Sequence, residues 1–285
     1  AKLGVKSIMF AGEGEPTLYK PLPQVLDVCA EVGIDTSLTT NAVVMNESTT
    51  DNYVKNCTWI KVSINAGTRD VYADVHQTKA DDFDKVVENL TLAAKIKKEK
   101  NYNCTIGAQM LLLPENKDTA LELAKTMRDA GIDYLVIKPY TQSLYGTSRK
   151  YEGLTYENMM ELEQELKQYE TDDFKVIFRA NTMKKLEEKQ QPYNKCYSTP
   201  NFWAYIMADG SVYSCSAYLQ NDDFNLGNIN ESSFQDIWEG EKRKANVAYI
   251  DKDLDISQCR KNCRMDEVNR YLWKLKNPNS HVNFI

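Results

Sequence analysis

Histidine is scarce in this chain: its 285 residues include two, His76 and His281. Two isolated imidazoles are too few for a serine or cysteine triad. Long apolar runs are also missing. A membrane-spanning helix needs roughly 20 apolar residues, and the run Met110-Leu111-Leu112-Leu113 stops at Pro114. The N-terminus has no basic-then-apolar secretion signal. Positive charge is in deficit, with 35 Lys and Arg against 41 Asp and Glu, a net charge of −6 and a pI near 5.2. That excludes a general nucleic-acid or anionic-membrane binder, while a local basic pocket for one phosphorylated substrate remains compatible. No G-x-G-x-x-G follows a strand, which argues against a doubly wound dinucleotide fold. The 42% hydrophobic and 27% charged content is that of a globular protein, large enough for one sizeable domain plus an appendage.

Cysteine is unevenly distributed. Of the seven, Cys29, Cys57 and Cys104 are scattered through apolar elements. Cys196, Cys215, Cys259 and Cys263 cluster in a loop-rich tail. The tail reads C-x13-G-x4-C, then 43 residues, then C-x3-C. An even clustered set beside an odd dispersed one fits a reducing cytoplasm with one thiolate-ligated site rather than a secreted disulfide scaffold. Thiolates at these spacings suit a four-cysteine iron–sulfur cluster or a structural zinc. Zinc ribbons pair their ligands closely, whereas Cys196 and Cys215 are far apart.

The first 180 or so residues alternate β-branched runs with helical patterns, the signature of a parallel α/β sheet. Strands are predicted at 5–11, 34–40, 59–65, 104–113, 134–138 and 175–179. Helices are predicted near 22–32, 47–56, 83–99, 119–130 and 156–169. Five or six strand–helix units at this spacing suit a partial (β/α)6 barrel. Glu187–Tyr193 breaks the periodicity, which places the domains at 1–188 and 189–285. The tail is expected to hold a hairpin with its turn at Asp209-Gly210, where Gly210 needs positive φ, then short helices near 234–239 and 268–276.

Candidate site residues gather at predicted strand ends, the edge where parallel barrels place their chemistry. In Gly12-Glu13-Gly14-Glu15-Pro16 the glycines permit close backbone approach, and carbonyls with a carboxylate can accept from a cationic amine. Glu13 and Glu15 on one loop are a poor opposed pair for glycoside hydrolysis. Asn41 ends the second strand. Alternation puts Lys61, Ser63 and Asn65 on one face of the third. Gly107 and Gln109 lie in the fourth, where a strand glycine suggests close approach of a flat partner. Lys138 and Tyr140, with Gln142 after them, and Arg179 bring cations, a phenol and an amide to the mouth. Each has a bland alternative: caps at Ser63 and Asn65, tight packing at Gly107, surface ion pairs at Lys138 and Arg179.

Taken in order, these motifs resemble the radical S-adenosylmethionine (radical SAM) enzymes with a C-terminal auxiliary-cluster domain of the SPASM/twitch type. Gly14-Glu15-Pro16 is similar to the family's Gly-Gly-Glu-Pro, with Glu13 in place of one glycine. Thr39-Thr40-Asn41 resembles its Thr-Asn-Gly, with Ala42 at the glycine, and Ser63-Ile64-Asn65 its Ser-x-Asp. The resemblance implies that Gly12, Gly14, Glu15, Asn41, Ser63, Asn65 and Gln109 contact S-adenosylmethionine, and that Lys138, Tyr140, Gln142 and Arg179 face a small polar substrate, for instance a sugar-derived one. It implies that the four tail cysteines hold an auxiliary [4Fe–4S] cluster of the shorter, single-cluster twitch form. The reaction implied is one-electron cleavage of S-adenosylmethionine to a 5′-deoxyadenosyl radical, with flavodoxin or ferredoxin as electron donor.

The family's C-x3-C-x2-C, which holds the catalytic [4Fe–4S] cluster, does not occur in this sequence. Because Ala1 opens on the lead-in to a strand, that motif is expected upstream of this chain. A peptide-modifying relative of the same family is one alternative reading. A non-catalytic, metal-stabilised barrel that only binds is another, from a different class.

Overall fold

The computed structural model describes residues 1–12, 14–188 and 191–284; Glu13 and part of the predicted 187–193 break lie outside them. The chain divides into two compact units, one of Ala1–Tyr140 with Thr155–Met183, the other of Thr141–Leu154 with Lys184–Ile285. The division between Met183 and Lys184 falls a few residues before the boundary expected at 188.

The first unit is a six-stranded parallel sheet whose strands lie in sequence order: β1 (Ser7–Phe10), β2 (Asp35–Thr40), β3 (Cys57–Ser63), β4 (Thr105–Leu112), β5 (Tyr134–Pro139) and β6 (Lys175–Phe178). The order never reverses, so there is no switch point of the kind a doubly wound sheet has. This is the partial (β/α)6 arrangement. Crossovers run through α1 (Leu22–Glu31), α2 (Glu47–Asn56), α3 (Arg69–His76), α4 (Asp81–Lys100), α5 (Ala120–Asp129) and α6 (Leu162–Lys167), and α7 (Ala180–Glu187) follows β6.

Local chemistry sets several of these boundaries. Asn46 and Thr49 form a reciprocal capping box at the start of α2, which satisfies two orphan amides. Helix α4 begins with Asp81, Asp82 and Asp84 and ends with Lys97, Lys98 and Lys100, complementing its dipole at both ends. Where a helix was expected over 156–169 there is a single tight turn and then α6. The buried Tyr156 stays outside the helix, its hydroxyl accepting from Tyr140 N at 2.7 Å and donating to Leu112 O at 3.1 Å.

The strand register sorts the sheet into two unlike faces. Leu38, Ile60 and Ile106 lie side by side, as do Val62 and Ala108, and all are sealed from solvent. With Met110, Leu112, Leu135 and Ile137 they form the apolar face. Leu22 and Leu26 of α1, Tyr53 and Val54 of α2, Val86 and Leu90 of α4, and Leu123 and Met127 of α5 complete the buried core. The opposite face carries Ser37, Thr39, Lys61, Ser63, Gln109, Tyr134 and Lys138 beside the apolar Trp59, Leu111 and Val136. A parallel sheet packed on both faces reads as continuous apolar runs. The polar residues interspersed on the inner face depart from that pattern.

In the second unit α8 (Thr199–Phe202) precedes an antiparallel sheet of β7 (Tyr205–Ile206), β8 (Ser211–Tyr213) and β9 (Asn225–Asn228). Gly210 in the first turn has φ +86°, and a Cβ there would meet Asn230 Nδ2 at 2.3 Å, so conformation and space both require glycine. Helices α9 (Phe234–Glu239), α10 (Glu241–Lys252) and α11 (Asp266–Lys276) follow. Val212, Leu226 and Ile237 make one small core, and Tyr213, Phe224 and Ile250 a second that reaches Cys196 and Cys215.

Candidate functional site

Glu15 ties the first two strand-end loops of the first unit together. Its Oε1 accepts from Thr17 N at 3.0 Å, Thr17 Oγ1 at 2.7 Å and Thr40 Oγ1 at 2.5 Å, and its Oε2 accepts from Asn41 N at 2.7 Å. One oxygen is saturated, and the other keeps a lone pair. Asn41 turns its Oδ1 back to Val43 N at 3.0 Å. Ala42, at the position where the resemblance calls for glycine, has φ +59° and is fully buried. An L-residue pays of order 1 kcal/mol there, and Asn89 Nδ2 holds its carbonyl at 2.7 Å. Among the described residues, chain neighbours aside, no atom lies within 4 Å of where a Cβ would be at Gly14, and at Gly12 the nearest is Gly14 N at 3.8 Å. The packing of the described residues therefore does not demand glycine at either.

The third and fourth strands behave differently. Ser63 pairs in register with Gln109 on the inner face. The alternation stops at Ser63, because Asn65 has φ +51°, a conformation that asparagine tolerates better than most. Asn65 Oδ1 accepts from Leu111 N at 2.8 Å, and its carbonyl accepts from Asn116 Nδ2 at 2.7 Å. His76 Nε2 lies 2.9 Å from the Ile64 carbonyl and 3.4 Å from Asn65 Nδ2. Donating to the carbonyl requires a proton on Nε2, so that nitrogen cannot also accept, and Asn65 Nδ2 keeps its donors. Burial lowers the His76 pKa, so the ring is a packed neutral spacer stacked on Tyr72 at 4.3 Å.

The flat partner expected over Gly107 is the chain's own Tyr134, whose ring atoms lie 2.1–2.5 Å from where a Cβ would be. Burial raises the Tyr134 pKa, and the nearby Arg179 charge opposes that rise. Arg179 follows β6, its amide bonded to Ile137 O at 2.9 Å. The register places Lys138 beside Leu111 on the inner face, and Tyr140 closes the first unit. Gln142 falls in the second unit and donates its amide to Ser143 O and Ser148 O within its own loop.

In the second unit Cys196, Cys215, Cys259 and Cys263 line one cavity, with Tyr193, Tyr218, Phe224, Ile250 and Arg260 among its walls. Every one of the four sulfurs accepts a hydrogen bond. Asn269 Nδ2 donates to Cys196 at 3.5 Å, Ala217 N to Cys215 at 3.4 Å, the Tyr218 hydroxyl to Cys259 at 3.3 Å and the Met265 amide to Cys263. Asn262, at φ +50°, bends the Cys259–Cys263 loop. Burial pushes the Cys215 thiol up to about 11 and that of Cys263 to about 12, with the neighbouring cysteines adding to the rise. Four thiols in one cavity, each with a donor at its sulfur, are suited to ligating a cation that makes them thiolates. Among the described residues no three such side chains converge as the ligand set of a single ion. Cys29, Cys57 and Cys104 are buried apart from it, and burial lifts the Cys57 and Cys104 thiols to about 12.

Residues 196–264, which contain all four thiols, match the family of SPASM iron–sulfur cluster-binding domains. The tail thus resembles a SPASM domain. Over 260 residues the chain is 23% identical to the tungsten-containing aldehyde ferredoxin oxidoreductase cofactor-modifying protein of Pyrococcus furiosus, covering 84% of this chain and 68% of that one. Its structure resembles Streptococcus suis SuiB bound to S-adenosylmethionine, with a TM-score of 0.61 and 18% identity over 85% of this chain and 56% of SuiB. It also resembles anSMEcpe with bound AdoMet, with a TM-score of 0.55 and 20% identity over 87% of this chain and 67% of that one. The chain thus shares its fold with these two S-adenosylmethionine-bound structures, and spans little more than half the length of SuiB. Nothing in the sequence pattern had singled out Tyr134, Tyr218, Arg260 or Asn269 as site residues. Tyr218, three residues beyond a candidate ligand, and Arg260, directly after one, carry a signal in their spacing, and Tyr134 and Asn269 carry none.

Proposed function

We propose that this chain is the larger part of a radical SAM enzyme that removes hydrogen from a small polar, anionic substrate, the ligands of its catalytic [4Fe–4S] cluster lying outside this sequence. The inner face of the sheet carries the proposal: Lys61, Ser63, Gln109 and Lys138 share it, and Arg179 follows β6. S-adenosylmethionine, when bound and reduced by one electron, supplies the hydrogen-abstracting radical.

The chain's own residues bind and orient. Gly12 and Gly14 admit the cofactor to the loop backbone, and Glu15 offers the remaining lone pair of Oε2 to its ammonium. Ser63 and the Asn65 amide donate to its carboxylate and ribose, Asn41 shapes the loop between them, and Gln109 reads the adenine edge. Lys138, Tyr140 and Arg179 hold the substrate's anionic group. In the tail, Cys196, Cys215, Cys259 and Cys263 ligate one [4Fe–4S] cluster. A flavodoxin or ferredoxin delivers the electrons. We place the functional boundary at residue 188.

A peptide substrate is the second reading. It is favoured by the likeness to SuiB bound to its precursor peptide SuiA, at a TM-score of 0.59. Anaerobic full-length protein, reduced with dithionite and given S-adenosylmethionine, should form 5′-deoxyadenosine faster with the true substrate class. Stimulation by phosphorylated sugars supports the first reading, and stimulation only by peptides the second. A full-length polypeptide without C-x3-C-x2-C or a close variant would overturn the catalytic proposal and leave a binding protein.

A further inference from the structure

Arg260 lies inside the C-x3-C loop and lines the four-cysteine cavity. Its Nη2 donates to the Thr141 carbonyl at 3.0 Å. Its Nε is buried and has no hydrogen-bond partner among the described residues. Buried donors are almost always satisfied, and one on a permanent cation is the costliest to leave open. The groups in that cavity able to become anionic acceptors are the four sulfurs. Four thiolates around a [4Fe–4S]2+ core carry a net charge of 2−, which becomes 3− when the cluster takes up one electron.

Resting on the cluster reading above, we infer that Arg260 is a positioning residue that donates through Nε–H to the cluster and sets its reduction potential. A cation donating to the cluster stabilises the 3− state more than the 2− state, and so raises the potential. The Thr141 carbonyl fixes the guanidinium plane. The same segment reaches the cluster's shell a second time: Tyr145 packs edge-on against Tyr218 at 6.4 Å, and Tyr218 donates to Cys259. The 141–154 segment thus braces two of the donors that face the cluster, which gives it a purpose in the second unit that its sequence does not advertise.

The test is a redox titration of the full-length holoprotein followed by electron paramagnetic resonance, with the auxiliary signal identified as the one lost in Cys259→Ala. Arg260→Gln should keep the tail's iron and shift that signal's midpoint to more negative potential, and Arg260→Lys should recover much of the shift. A merely structural role would not produce a charge-dependent potential. An unchanged midpoint in Arg260→Gln at full iron content overturns the inference. If Arg260→Gln loses iron, the wild-type protein grown with 15N-arginine decides: a guanidinium nitrogen coupled to the reduced cluster's spin supports the role, and its absence refutes it. Wild-type tail without iron would instead overturn the cluster reading itself, along with what rests on it.

Discussion

Replacing Glu15 with alanine separates a structural role from a cofactor role, because the same change at Ser63 touches only one of them. Glu15 accepts four hydrogen bonds, from Thr17 N, Thr17 Oγ1, Thr40 Oγ1 and Asn41 N. Hydrogen bonds to a charged acceptor contribute about 1.5–3 kcal/mol each. Three here share one oxygen, and the half-buried loop lets water replace part of the loss, so about 3 kcal/mol is the expected cost of Glu15→Ala. For a unit of this size each kcal/mol moves the melting temperature by roughly 2–4 °C, which predicts a drop of roughly 6–12 °C. Ser63→Ala removes one hydroxyl from the inner face and should leave the melting temperature within about 2 °C. Both variants should weaken S-adenosylmethionine binding, each lost polar contact costing on the order of 1–3 kcal/mol, while tail iron stays in place. The assays are thermal unfolding and calorimetric titration of the full-length protein. Wild-type melting in Glu15→Ala would refute the hydrogen-bonded tie. Wild-type affinity in both variants would show that the cofactor does not use these loops.

Cys259→Ala should release the tail's iron, about four atoms per chain for a single [4Fe–4S] cluster, whereas alanine at Cys29, Cys57 or Cys104 should retain it; retained iron in Cys259→Ala would remove that ligand. In the metal-free protein Cys215 and Cys263 stay protonated at neutral pH, since burial pushes their pKa to about 11 and about 12. Alkylation should therefore be slow at pH 7.5 and accelerate as the pH approaches those values, and fast labelling at neutral pH would contradict the burial. The linked effect on stability has a definite sign. A thiol whose folded pKa lies above its unfolded value of about 9 stabilises the fold below that pH, and the contribution is lost as pH rises toward the folded value, so metal-free protein should weaken from about pH 9 upward in urea titrations. Finally, Gly107→Ala should cost about 1–3 kcal/mol by driving a methyl into the Tyr134 ring, and Tyr134→Ala in the same chain should recover part of that; additive losses would show that the ring does not cover the glycine.

How far the sequence discloses this protein depends on whether a residue's role is local. Asn46 and Thr49 sit three apart at the start of α2, and Gly210 sits in a hairpin turn, so chain geometry alone determines what each does. The six strands are legible for the same reason, because burial of one face forces the alternation seen at 59–63 and 105–111. Helices α3 and α10 were not anticipated, and each fails the periodicity test for a physical cause. Tyr72 is the sole buried residue of α3, and one of the two buried positions of α10 is Asn246, whose amide bonds Asp223 O at 2.7 Å. Strand β9, Asn225–Asn228, has a glycine inside it and too few apolar residues to alternate. At the site the divide is the same. The cysteines announce themselves by spacing, but Asn269 donates to Cys196 from 73 residues away, and Arg260 takes its meaning from a carbonyl 119 residues upstream. Gly107 shows the converse hazard: a strand glycine does signal a flat neighbour, yet only the fold reveals that the neighbour is Tyr134. Ligands are written in residue type and spacing, whereas the groups that tune and brace them are written in the register of distant segments, where a single sequence carries no mark.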